Sequence, residues 1–414
     1  MFSEKLLKMA ADAEALLATR FREIEGVAFE NTARVLRAFQ THRVSEACFA
    51  GTTGYGYDDL GRETLDKIYA DLFGTEAALV RIGFVNGTHA ITSALFAVAE
   101  PGKTLLSVTG APYDTLRTAV GITGDAHGSL RYYGVGYAQV ELSADGGADI
   151  PAIEEAAKNE KICAVMIQRS RGYGTRRALS VEEIGEICAA VRRVNPKAWI
   201  VVDNCYGEFT ETLEPTHVGA DLVAGSLIKN PGGGLAPAGG YLAGKKELID
   251  RAAGRMTSPG IGGECGATLG QSRLLFQGLF EAPHVTAQAL KTAAFCAAML
   301  ESLGLRTSPS ALEPRPDIIQ MIEFGSAEKM ERFCVGVQAA SPVDSFVRPE
   351  PWQMPGYDCP VIMAAGAFIQ GSSIELSCDG PMRPPYIAYL QGGLTYEAGK
   401  LGIMTAISEM LDRD

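Results

Sequence analysis

The sequence predicts an α/β fold built on a mainly parallel sheet, and three observations carry that prediction. Short apolar runs suited to buried strands alternate with stretches of helical periodicity between Ala77 and Gly240. Polar and glycine-rich residues follow directly after those runs, where the ligand sites of parallel sheets lie. The chain also has 414 residues, 47% of them hydrophobic, enough for such a sheet and a second, smaller domain.

The chain begins with helices. From Ser3 to Phe21, Leu6, Leu7, Ala10, Ala13, Leu16, Leu17 and Phe21 recur at helical spacing between acids and lysines. Asn31 to Gln40 reads as a second helix with Asn31 as its cap, so residues 1–50 form a helical arm against the body or a second subunit. The loop G-T-T-G-Y-G-Y-D-D-L-G-R, Gly51 to Arg62, sets Tyr55, Tyr57 and Arg62 among glycines. Phenols and a guanidinium suit a phosphate, and tyrosines in such a loop equally suit anchors at an interface. A helix over Glu63 to Leu72 follows.

A strand over Ala77 to Arg81 leads through V-N-G-T-H-A into a helix that starts at Gly87. Such a start aims free backbone N–H groups and the positive end of the helix dipole at an anion, which makes Asn86, Gly87 and Thr88 candidates. An ordinary Asn-capped helix reads the same way. The pattern then continues with a strand over Thr104 to Val108, a helix opened by Pro112-Tyr113-Asp114-Thr115, and a helix from Pro151. A strand over Ile162 to Gln168, a helix with a Ser180/Glu183 capping box, and strands over Trp199 to Asp203 and Leu222 to Gly225 complete it.

The sharpest candidates sit at the carboxyl ends of these strands. Asp203 ends W-I-V-V-D, and a carboxylate on a buried strand needs a cationic or N–H partner to stay ionised, unless it caps the following turn. Lys229 lies in A-G-S-L-I-K-N-P-G-G-G, where bare backbone lets a ligand approach closely. A lysine so placed serves as an amine that condenses with an aldehyde, with the Ser226 hydroxyl beside it, or as a solvated side chain near a flexible loop. Tyr113 and the run Gln168-Arg169-Ser170-Arg171 are further candidates.

Beyond Tyr241-Leu242-Ala243 the sequence predicts a helix over Lys246 to Arg255, a glycine-rich stretch to Gly266, and a helical region from Ala267 to Leu303 interrupted near Pro283. Residues 51–265 then form the large domain, 266–306 connecting helices, and 307–414 a small C-terminal α+β domain. That last part carries strand-like runs at Pro360 to Ala365 and Ser373 to Ser377, and a helix from Thr395 to Leu411. Arg383, in the proline-stiffened loop S-C-D-G-P-M-R-P-P-Y, suits a carboxylate or a surface salt bridge.

Lys+Arg 37 against Asp+Glu 49 gives a net charge of −12, so neither nucleic acid nor an anionic membrane is indicated as a partner. The N-terminus lacks the apolar core of a signal peptide, and no stretch reaches the length of a membrane span. Nine scattered cysteines without paired or zinc-type spacing indicate reduced thiols, no metal site and a cytoplasmic location. No G-x-G-x-x-G follows a strand, which argues against a nicotinamide-dependent oxidoreductase.

Taken in order, V-N-G-T-H-A, A-P-Y-D-T-L, I-Q-R-S-R-G-Y, V-V-D-N-C-Y-G-E-F, A-G-S-L-I-K-N-P-G-G-G and E-L-S-C-D-G-P-M-R-P-P-Y resemble fold-type I pyridoxal-phosphate enzymes. The match tightens to the aluminium-resistance or methionine gamma-lyase-like family related to cystathionine lyases. The resemblance implies pyridoxal 5'-phosphate held by Lys229, which also moves protons, with Asp203 on the pyridine nitrogen and Tyr113 stacked on the ring. It implies Asn86, Gly87, Thr88 and Ser226 around the phosphate, Gln168 near the ring, and Arg383 on the carboxylate of an amino-acid substrate. Tyr55 and Tyr57 would come from a neighbouring subunit, which implies a homodimer or homotetramer with a shared active site. The implied reaction is carbon–sulfur bond cleavage in a cystathionine-, methionine- or cysteine-type substrate. The same fold also carries aminotransferases, aldolases and proteins that bind the cofactor without turnover.

Three departures from the wider cystathionine-lyase pattern stand out. The arginine of the Tyr-x-Arg clamp is displaced to Arg62, Ile228 replaces a hydroxyl residue before the lysine, and Gln168 to Arg171 replace the usual Asn.

Overall fold

In the computed structural model, which describes residues 2–124, 126–354 and 358–411, two sheets lie side by side and one long helix runs past both. That helix, α1 (Glu4–Thr41), has 38 residues, and its first N–H groups are capped by the Ser3 side chain. The sequence suggested two helices here. Asn31, expected to cap the second, is instead buried within α1, its amide donating to the carbonyls of Phe209 at 3.2 Å and Glu211 at 2.9 Å. Its side chain is engaged by another part of the chain, so the helix runs on through it.

α2 (Leu60–Phe73) starts earlier than expected because Asp59 caps it, accepting from the Arg62 N–H at 2.9 Å. The large sheet then assembles from β1 (Ala77–Arg81), β2 (Thr104–Ser107), β3 (Gly136–Gln139), β4 (Ile162–Gln168), β5 (Trp199–Asp203), β6 (Leu222–Ser226) and β7 (Gly240–Gly244). Its order is β1-β7-β6-β5-β4-β2-β3, parallel throughout except for β7, which runs antiparallel between β1 and β6. Two of these strands carry weak sequence signals. β3 is an edge strand of mixed, half-exposed residues. β7 is bounded by glycines, and at Gly244 the neighbouring Asp221 carbonyl would lie 2.3 Å from any Cβ.

Helices cover both faces, as a parallel sheet requires. α2, α5 (Ile150–Ala157) and α6 (Val181–Val194) bury one apolar face, with Leu65, Ile153 and Ile184 against Val165, Ile167 and Val202. α3 (Gly87–Val98), α4 (Asp114–Val120) and α7 (Lys246–Met256) bury the other, with Ala94, Leu116 and Leu248 against Leu105, Met166 and Ala224.

α8 (Ser272–Glu301) leads to the second sheet as one uninterrupted helix, with Pro283 inside it. A proline costs a helix interior about 3 kcal/mol. Burial of most side chains from Leu275 to Leu300 outweighs that cost. The second sheet is antiparallel, in the order β10 (Val361–Ala364), β11 (Ser377–Pro381), β12 (Ile387–Gln391), β9 (Ile319–Glu323) and β8 (Arg306–Ser308). α9 (Ala327–Ala339) and α10 (Tyr396–Leu411) pack on it. β11 lies C-terminal to the run expected at Ser373 to Ser377. The residues just before it turn back instead, with the Glu375 carboxylate accepting the N–H groups of Phe368 at 2.8 Å and Ile369 at 2.9 Å.

Among the described residues, no helix is long and apolar enough to cross a membrane.

Candidate active site

The carboxyl ends of β4, β5 and β6 and the first turn of α3 open onto a cavity of about 490 Å3, closed on its far side by the second sheet. Asn86, Gly87, Thr88, Tyr113, Gln168, Asp203, Ser226 and Lys229, singled out from the sequence, all line it.

Lys229 follows β6 and is the one lysine or arginine among the described lining residues. Its Nζ lies 3.8 Å from the centre of the Tyr206 ring, and no carboxylate comes within ion-pair distance of it among the described residues. Its side chain keeps some accessible area and lines the cavity. Burial alone would favour the neutral amine. The combined pull of Cys205, Tyr206, Asp203 and Tyr113 outweighs it and holds the proton on Lys229.

Asp203 ends β5, its Oδ1 accepting the Cys205 N–H at 3.1 Å. Burial pushes its carboxyl up, and the nearby Lys229 charge opposes that rise. The hydroxyl of Ser226 is buried without a partner. Across from it, Gly87 opens α3, and a Cβ there would sit 3.0 Å from the Ser226 Cβ and crowd it. Asn86 caps α3 by accepting the His89 N–H at 2.9 Å, while helix geometry leaves the N–H groups of Gly87 and Thr88 without helical partners.

Tyr113 is fixed from two sides: its hydroxyl donates to Thr88 Oγ1 at 3.1 Å, and its N–H donates to Gln168 Oε1 at 3.2 Å. Gln168 therefore spends one end of its amide on Tyr113. The other end donates to the Ser170 carbonyl at 3.2 Å, so this side chain shapes the wall more than it offers free donors.

Five residues singled out from the sequence lie elsewhere. Tyr55 and Tyr57 stack on each other at 5.7 Å on the exposed loop before α2 and do not line this cavity. Arg62, beneath that loop, is buried and donates to the carbonyls of Gly56, Gly266 and Glu264. Arg383, expected at the substrate carboxylate, lines an adjoining cleft of about 280 Å3 that shares Tyr173 with the main cavity. It is half exposed and faces Asp358 at 3.2 Å, on the loop that follows the end of β11. Arg169, next to Gln168, points away from the cavity into a buried network with Asn204, Thr210, Glu211 and Glu214.

The sequence reading missed Tyr206, Tyr173, Ser377, Asp379 and Gln391 as lining residues. Tyr206 sits at φ 73°, a left-handed conformation that a tyrosine adopts only under constraint. The run N-C-Y-G-E-F after β5 was the available signal for it. Among the described residues, no three His, Cys, Asp or Glu side chains converge to hold a metal ion.

Comparison with known proteins fits this geometry. The sequence model of the methionine gamma-lyase family matches residues 6–411. The uncharacterized protein YnbB of Bacillus subtilis is 52% identical, over 99% of this chain and 97% of its own. The crystal structure of a carbon-sulfur lyase involved in aluminum resistance from Clostridium novyi superposes with a TM-score of 0.96 at 51% identity, covering 99% of this chain and 97% of that one. The pyridoxal-5'-phosphate dependent protein YhfS of Escherichia coli shares the fold alone, with a TM-score of 0.60 at 17% identity over 94% of this chain and 97% of its own. The match over nearly the full length, on a site assembled from the expected strand ends, places the chain in the methionine gamma-lyase family.

Proposed function

We propose that this protein is a pyridoxal 5'-phosphate-dependent carbon–sulfur lyase of fold type I, which cleaves a sulfur-containing L-amino acid to a thiol, ammonia and a 2-keto acid. The observation that carries the reading is Lys229, set in a cavity wall, without an ion pair among the described residues, and next to the buried carboxylate that ends the neighbouring strand. The chemistry of the donor set fits the cofactor. The unpartnered Ser226 hydroxyl, the free N–H groups opening α3 and the bare backbone of Gly87, where a Cβ would crowd Ser226, form a cradle for a phosphate. Asp203, which needs a cationic partner to stay ionised in its buried position, suits a protonated pyridine nitrogen.

Pyridoxal phosphate, when bound, supplies an electron-withdrawing ring conjugated to the substrate α-carbon, which stabilises the negative charge left by loss of the α proton. The chain supplies the rest. Lys229 would hold the cofactor through its Nζ and, as a free amine, would accept the α proton. Tyr113, locked between Thr88 and Gln168, presents a flat ring to the cofactor face. A thiolate then leaves from the β carbon, or from the γ carbon after a second proton shift, and takes up a proton. Water completes the balance as the unsaturated amine is hydrolysed to keto acid and ammonium.

On this reading Tyr55 and Tyr57 serve the phosphate site of a neighbouring subunit, with a homodimer as the smallest active form, and the protein works in the cytoplasm. The exposure of both rings supports that assignment. The decisive test is visible absorption of the purified protein after adding pyridoxal phosphate, with keto acid assayed on L-cystathionine, L-methionine and L-cysteine. An absorption band lost in Lys229→Ala, together with keto acid from one of the three, is the expected result. A band without keto acid from any of them refutes the lyase assignment.

A further inference from the structure

The wall of the cavity opposite the large sheet is more polar than its partners require. Asp379 and Ser377 share the cavity-facing side of β11, while Cys378 between them turns into the small core. Asp379 is only 3% exposed. Its Oδ2 accepts from the Tyr173 hydroxyl at 2.7 Å and from Gln391 Nε2 at 3.2 Å, but its Oδ1 has no partner. The hydroxyls of Ser372, Ser373 and Ser377 are also buried and unpartnered, and all three line the same cavity.

Buried polar atoms are paired in the great majority of cases, so four unpaired ones in a single cavity wall need a common explanation. A carboxylate oxygen calls for a donor, and a positively charged one most strongly. Serine oxygens accept hydrogen bonds as readily as they donate them. An ammonium, with three N–H donors and a positive charge, would pair the carboxylate oxygen and up to two of the serine oxygens. The described lining residues offer no cation for that role apart from Lys229, which the cofactor engages. Burial pushes the Asp379 carboxyl up to about 6, the expected consequence of an anion waiting for its partner.

We propose that Asp379, with Ser377, Ser372 and Ser373, forms a subsite for an ammonium group on the leaving arm of the substrate. The inference builds on the lyase reading and narrows it to thioethers that carry a second amino group beyond the sulfur, rather than methylthio side chains.

The test uses two isosteric ligands, S-(2-aminoethyl)-L-cysteine and S-propyl-L-cysteine, which differ in an ammonium against a methyl group. Binding is measured by calorimetry on Lys229→Ala protein loaded with pyridoxal phosphate, so that no turnover intervenes. The aminoethyl ligand should bind at least about tenfold more tightly, and Asp379→Asn should remove that preference while leaving S-propyl-L-cysteine within about twofold. Equal affinity for the two ligands with Asp379 intact, including none for either, overturns the subsite, as does an equal loss on both in Asp379→Asn. The first comparison does not depend on how the variant folds. A clear ammonium preference in a protein that yields no keto acid from any thioether would retain the subsite and reject the lyase reading.

Discussion

The side-chain amide of Asn230 holds the carbonyl of Tyr206 at 3.0 Å, so the residue after the candidate catalytic lysine clamps the strained turn whose ring covers that lysine. The same amide nitrogen reaches the Glu208 carbonyl at 3.0 Å. Asn230→Ala leaves both carbonyls unpaired, one of them fully buried. Urea unfolding should record a loss of about 1–3 kcal/mol. The Tyr206 ring should lose its fixed position over Lys229, so turnover per bound cofactor should fall as well. Unchanged stability would mean that the clamp does not hold the turn.

Glu208 predicts a pH dependence of stability. Its Oε1 accepts from the Tyr241 hydroxyl at 2.8 Å, its Oε2 is buried without a partner, and burial pushes its carboxyl up to about 8 from 4.5. Between those values the folded protein keeps a proton that the unfolded chain releases. The contribution is therefore fully present below the unfolded value and is lost as pH rises toward about 8, at up to about 1.4 kcal/mol per pH unit. Denaturation of the parent and Glu208→Gln at several pH values between 5 and 8 should show the variant gaining on the parent as pH rises. Parallel curves contradict the assignment.

Gly87→Ala tests the phosphate cradle. The new methyl group would meet the Ser226 Cβ at 3.0 Å, in the space between α3 and β6. Affinity for pyridoxal phosphate, measured by titrating cofactor-free protein, should drop about tenfold or more. Ser226 has to yield by only a few tenths of an ångström, so the melting temperature of the cofactor-free protein should change far less than the cofactor affinity.

Arg169 carries a structural prediction only. Its guanidinium is fully buried, donating to Asn204 at 2.8 Å and Glu211 at 2.6 Å beside the buried Glu214. Arg169→Ala strands that charge, and equilibrium unfolding should show a loss of about 3–5 kcal/mol. Because the side chain points away from the cavity, the Michaelis constant of whatever folded protein remains should match the parent's.

The parts of this molecule that were legible in the sequence are those governed by local chemistry. Apolar runs from Ile162 to Gln168 and from Trp199 to Asp203 announced central strands, and Ser180 with Glu183 announced a capping box that forms as read. The cavity residues on the large sheet were legible because they follow those strands directly. What escaped depends on partners distant in the chain. Asn31 looks like a cap until Phe209 and Glu211 engage it, and Pro283 looks like a break until burial on several faces keeps α8 whole. Asp379 and Ser377 gave no local sign, since the antiparallel pairing of β11 with β10 and β12 alone decides which of their neighbours faces the cavity.

α1 ties the two ends of the chain together. Leu6, Ala10, Ala13 and Leu17 join the core that α8 and α10 share, and Glu14 accepts from the Tyr396 hydroxyl at 2.9 Å and from Lys400 at 2.7 Å, while Val35 and Ala38 join the core of the large sheet. The stripe on α1 therefore waits for a surface made much later in the sequence, because it lies mainly against α8 and touches α10 only at its edge. A chain that stops before α8 can assemble the strands of the large sheet while the stripe on α1 still has no dock.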